Sequence, residues 1–161
     1  ERLYISGEIT SPTAARFERV LAAHPQVALV VPLEMGGSLD DRAVLRMGYL
    51  LRDRGLDTHL TGQSRIYSGA VDLFIAGRER TMAPGAVIGV HSWVDGFGEG
   101  TDYPPEAPEH RANAAYVRRM LGSEDFYWFT LRAAPSDGIH EMTRAEIARF
   151  GLLTEPGMTK E

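Results

Sequence analysis

The chain has 161 residues, 43% hydrophobic and 24% charged, which suits a single α/β domain spanning 1–161 with a real core and excludes a disordered tail. A formal charge of −5 argues against a nucleic-acid partner, since phosphate binding needs a surplus of Lys and Arg on one face. The absence of cysteine excludes disulfides, thiolate metal sites and a cysteine nucleophile, and no apolar run approaches the roughly 20 residues that span a bilayer.

Arg2 to Ile9 alternates as a strand, with Leu3 and Ile5 on one face. The chain opens at Glu1, directly before this run, which leaves room for a preceding segment; no signal peptide is visible. Ser11-Pro12 reads as a helix start, with Ser as N-cap and Pro in the first turn, followed by Ala14, Phe17 and Leu21 at helical spacing. Val27 to Val31 is a continuous apolar run, as in a strand buried on both faces, and it leads to Met35-Gly36-Gly37-Ser38. A helix over 40–54 places Val44, Met47 and Leu51 inward and stops at Gly55. Asp57 to Leu60 reads as a short strand, Ser68 to Ala76 as a short buried helix closed by Gly77, and Ala86 to His91 as another strand. This alternation is the βαβ pattern of a mostly parallel sheet flanked by helices. Gly96 to Pro108, rich in Gly, Pro and acids, reads as an inserted surface loop. Helices then follow over 109–121 and after Ser123, the latter carrying Phe126, Tyr127, Trp128 and Phe129, and Thr143 to Glu146 fits a capping box opening a last helix.

Three segments lie where strands end, the place where open α/β sheets form ligand crevices. Gly36-Gly37 permits a sharp turn that presents a bare N–H to a developing oxyanion; the plainer reading is a tight turn into the next helix. Ser68 stands at the first turn of a buried helix, where the dipole favours negative charge and the Gly69 N–H is free; the plainer reading is an N-cap serine. His91 ends an apolar strand, where an imidazole can face a crevice or sit satisfied in the core. His140 is a lesser candidate for lining the site. No His-x-x-x-His or carboxylate cluster suggests a metal, and no cofactor is expected.

Together, "VALVVPLEMGGSLDDRAVLRMGYLLRDRGLDTHLTG", "YSGAVDLFIAGRERTMAPGAVIGVHSW" and "APSDGIHEMTRAEIARFGLLTE" resemble, in order and spacing, the Clp protease proteolytic subunit family of the Clp/crotonase fold, and within it a bacterial branch with periplasmic members. The resemblance implies repeated ββα (βαβ) units and a serine hydrolase, with a peptide or other acyl compound as substrate. It puts the nucleophile at Ser68, the base at His91 and the oxyanion-hole N–H groups at Gly37 and Gly69. Asp137 is the nearest match to the acid that orients the base, with Glu141 as its rival. A homo-oligomer and a lean to the periplasm follow from the same resemblance.

The chain departs from the family at Leu33-Glu34-Met35, before the Gly-Gly turn, and in the inserted loop, so a barrel-shaped chamber does not follow. A Ser–Lys dyad would have to draw on Lys160, the only lysine. The other readings are a crotonase-type acyl-CoA enzyme and a non-catalytic binding or assembly module that keeps the fold. The Phe126–Phe129 run fits either an interface or a helix buried in the domain, because four consecutive aromatics cannot all face one side of a helix.

Overall fold

A strand that is apolar on both faces needs neighbours on both edges and cover on both sides. In the computed structural model, which describes residues 1–154, the apolar run after Val27 finds them. It forms β2 (Leu29–Pro32), paired in parallel with β1 (Arg2–Ile5) on one edge and β4 (Asp57–Leu60) on the other, with β6 (Arg80–Met82) outside β4. The second sheet runs β3-β5-β7-β8. Here β3 (Glu34–Met35), β5 (Arg65–Tyr67) and β7 (Val87–Val90) are parallel, and β8 (His140–Glu141) is antiparallel to β7. Consecutive strands therefore alternate between sheets: β2 then β3, β4 then β5, β6 then β7. The architecture is mixed α/β, mostly parallel and flanked by helices.

The sequence pattern merges or omits β3, β5 and β6. Each has only two or three residues, too few to express a period of two.

The helices follow local chemistry. α1 (Ser11–Ala23) is capped by Thr10, one residue earlier than expected, through a capping box with Thr13. In α2 (Asp41–Asp53) the Asp40 carboxylate accepts from the N–H groups of Arg42 and Ala43 at 3.0 and 3.2 Å, and Val44, Met47 and Leu51 are buried. α3 (Gly69–Ile75) is apolar nearly all round and lies in the core, with Ala70, Leu73, Phe74 and Ile75 at 0% exposure. α4 (Pro108–Leu121) pins α3 through Tyr116, whose hydroxyl donates to the Asp72 carbonyl at 2.6 Å. α5 (Asp125–Ala133) follows, and the Thr143–Glu146 capping box opens α6 (Arg144–Arg149). The half-turn of chain after α6 is tied to the first sheet by Arg80, whose guanidinium donates to the carbonyls of Leu152 and Gly151. Burial pushes that guanidinium down to about 10. Among the described residues no helix is long and apolar enough to cross a membrane.

Candidate active site

β5 and β7 are adjacent parallel strands with Tyr67 opposite Gly89. Ser68 follows the first partner by one residue and His91 the second by two, so both emerge at the carboxyl ends of neighbouring strands. The Ser68 N–H donates to the Gly89 carbonyl at 3.0 Å, which ties the turn to the strand that carries His91.

Ser68 has φ 52° and ψ −126°, the sole positive φ outside glycine among the described residues. A side-chain-bearing residue held there costs about 1–3 kcal/mol and persists only where its surroundings over-determine it. Here they do. The turn is clamped by the Gly89 carbonyl on one side, and on the other Val71 donates its N–H to the Ser68 carbonyl at 2.8 Å as α3 enters the core.

The two glycines meet at this point. Gly37 has φ +130°, and a Cβ on it would stand 3.1 Å from Ser68 Cβ and 3.3 Å from the Tyr67 carbonyl oxygen. A Cβ on Gly69 would stand 2.5 Å from Ser38 Oγ. A larger residue at either position would have to displace Ser68 or Ser38, and at Gly37 it would also be strained by the positive φ. Gly69 opens α3, where an N–H has no intrahelical acceptor, and the Gly37 N–H donates to no other group among the described residues.

Ser68 and His91 line the same two hollows. One is a narrow cavity of about 60 Å³ that also meets Asp41, Asp72, Trp93 and Tyr127. The other is an open cleft of about 510 Å³ bordered by Leu39, Arg42, Val94 and Ser136. Burial, and secondarily the charge of Asp41, push the Asp72 carboxyl up to about 7.

The far side of His91 is made of loops. His91 Nδ1 is buried and has no hydrogen-bond partner among the described residues. Asp137 lies in the Pro135–Gly138 turn, closed by Gly138 N–H donating to the Pro135 carbonyl at 3.0 Å, and this turn leaves it exposed and without a hydrogen bond among the described residues. Glu141 is on β8, also exposed. The carboxylate beside these loops is Glu99, from the segment that follows His91. It accepts from the Ser136 N–H at 3.0 and 3.1 Å and from the Ser136 hydroxyl. These bonds, chiefly the hydroxyl's, hold the Glu99 carboxyl below its usual range, with Ser92 and the nearby His91 adding to the effect.

Solved structures share this arrangement of strands and helices. A serine-to-alanine mutant of the 1510-N membrane-bound stomatin-specific protease matches at 17% identity and TM-score 0.63, over 94% of this chain and 76% of that one. A lysine-to-alanine mutant of the same protease, in complex with a substrate peptide, matches at 18% and 0.65, over 94% and 72%. ClpP1 from Listeria monocytogenes matches at 14% and 0.65, over 95% and 88%. The chain has a Clp protease-like fold. No protein-family model matches the sequence, and no curated protein is similar to it. Identity this low carries the fold alone, so the chemistry has to be argued from the residues.

Within the Clp-like fold two of the other histidines are engaged elsewhere. His140 Nε2 pairs with the Glu146 carboxylate at 2.9 Å and lines neither hollow. His110, buried, bonds the Tyr127 hydroxyl through Nδ1 at 2.7 Å, and Trp93 Nε1 donates to the same oxygen at 2.9 Å. The aromatic run is spent inside the fold: Phe126 and Phe129 pack on Phe150, and Tyr127 and Trp128 on His110. Among the described residues no group of three or more His, Cys, Asp or Glu could hold a metal ion. Lys160 lies outside the described residues.

Glu99, held by Ser136 and near His91, is a neighbour of the candidate site that the sequence reading did not single out. Its signal was available: an acid in a loop inserted directly after the strand ending in His91 has the chance to fold back on that histidine.

Proposed function

We propose that this chain is a serine hydrolase that transfers an acyl group to water, with a peptide as the favoured substrate. The observation that carries the reading is the strained backbone of Ser68, aimed into a hollow shared with His91. Strain of this kind at a helix start, with a histidine on the neighbouring strand, serves an exposed nucleophile and serves a structural cap poorly.

In the first step His91 accepts the Ser68 Oγ proton as the oxygen attacks the substrate carbonyl. Charge moves to the carbonyl oxygen, where the N–H groups of Gly37 and Gly69 receive it. The imidazolium then gives its proton to the leaving amine, and the acyl-serine is hydrolysed by a water that His91 deprotonates. An acid at Nδ1 completes the scheme by fixing the tautomer. The peptide preference draws on the names of the structural relatives, one of which is a protease bound to a substrate peptide. A homo-oligomer is proposed on the same analogy.

The test is covalent labelling with a fluorophosphonate followed by peptide mass spectrometry. The phosphonyl group should map to Ser68 and vanish in Ser68→Ala and His91→Ala. An unlabelled wild-type chain would instead favour the binding-module reading, which the unpartnered His91 Nδ1 supports.

A further inference from the structure

We propose that Glu99, rather than Asp137, is the carboxylate that positions His91. The proposal rests on the Ser68–His91 reading and adds to it a residue from the inserted loop.

For His91 to take a proton from Ser68 its Nε2 must be a lone pair, so Nδ1 must carry the hydrogen. That atom is buried without an acceptor. A buried donor left unpaired costs about 1–3 kcal/mol, so the site needs an acceptor close by.

Asp41 and Asp72 line the inner cavity on the Ser68 side of His91; the carboxylate that the loops on its other side bring up is Glu99. After His91 the segment turns at Asp95, whose carboxylate accepts from the N–H groups of Phe97 and Gly98. It then returns as a narrow hairpin in which Val94 and Glu99 pair in antiparallel fashion. The Gly100 N–H donates to the Trp93 carbonyl at 2.9 Å, which closes the hairpin beside the residues following His91. From the other direction, the chain leaving α5 is stitched to the same place: Ser92 N–H donates to the Ala134 carbonyl at 2.9 Å, and Ser136 N–H to Glu99. Residues 91–93, 99–100 and 134–136 thus converge, and Glu99 is the acid within them. Asp137 is one residue beyond, turned to solvent.

Glu99 also has the right state and spare capacity. Its hydrogen bonds keep it ionised at neutral pH. A carboxylate has about four acceptor positions, and the Ser136 N–H and hydroxyl leave room for an Nδ1–H. Held this way, Ser136 sets the carboxylate and the carboxylate sets the imidazole.

Glu99→Gln separates charge from scaffold, because the amide oxygen still accepts the Ser136 N–H. The readouts are the titration of the His91 ring by NMR and the rate of Ser68 phosphonylation. Asp41 and Asp72 in the inner cavity and Asp40 and Arg42 in the outer cleft are the other charged side chains that line hollows with His91; they are unchanged in the variant. We expect the His91 titration to differ between wild type and Glu99→Gln, with the charged ring less favoured in the variant. Hydrolysis should fall roughly 10²–10⁴-fold in kcat with KM little changed. A His91 titration that is the same in wild type and Glu99→Gln overturns the proposal, as does full loss of rate in Asp137→Asn with none in Glu99→Gln. Should wild-type Ser68 take no label, the hydrolase reading fails, and the His91 titration still decides the role of Glu99.

Discussion

The two sides of the cleft are built by different forces. The Ser68 side is made of strands and a buried helix: Gly37, Ser68 and Gly69 are held by β3, β5, β7 and the mostly apolar body of α3, with backbones in contact. The far side of His91 consists of two loops, 91–107 and 134–138, joined by the polar bonds of Glu99 with Ser136, while Asp95 braces the first loop from within. Close packing resists displacement in every direction, whereas a hydrogen-bonded loop keeps its shape only while each partner is present. A fold can therefore keep its nucleophile in place and draw its acid from whichever loop arrives, and an insertion such as 96–108 is where a new acid can enter.

The contrast can be broken hardest at Gly37. Gly37→Ala places a methyl group 3.1 Å from Ser68 Cβ on a backbone that L side chains rarely adopt. The phosphonylation rate should drop roughly 10²–10³-fold as the N–H leaves the oxyanion position, with about 1–3 kcal/mol lost in denaturant unfolding. An unchanged labelling rate would show that the Ser68 side is not rigid.

Asp72→Asn measures what the buried side costs. The Asp72 carboxyl titrates near 7 in the folded chain and near 4 unfolded. The folded state thus binds the extra proton between those values. Stability falls as pH rises through that window and stays lower above it. Asn removes the penalty, so the variant should melt higher than wild type at pH 8, by several degrees at least, and converge with it below pH 4. Equal melting at both pH values would mean that Asp72 is solvated.

Thr143→Ala gives the smallest effect. It removes the cap of α6, which follows β8 along the His91 strand, at a cost of about 1 kcal/mol in thermal unfolding. The labelling rate should stay close to wild type, since neither hollow is lined by α6. A rate that falls with Thr143 would couple β8 to the site and return Glu141 to contention.

Much of this was legible in the sequence because it is local. The spacing of Val44, Met47 and Leu51 sets one face of α2, Asp40 and Thr143 cap the helices that follow them, and His91 stands at a strand end because its apolar run stops there. Strands β3, β5 and β6 were not, because segments of two or three residues take their pairing from distant partners. The fate of Phe126 to Phe129 was equally open, since an aromatic run is the same whether Phe150 and His110 cover it or a second chain does. Which acid faces His91 depends on tertiary structure alone. A carboxylate's role depends on which of three converging segments meets the imidazole, and that is set by the closure of the Val94–Glu99 hairpin and the turn at Pro135–Gly138, which join residues 37 positions apart in the chain.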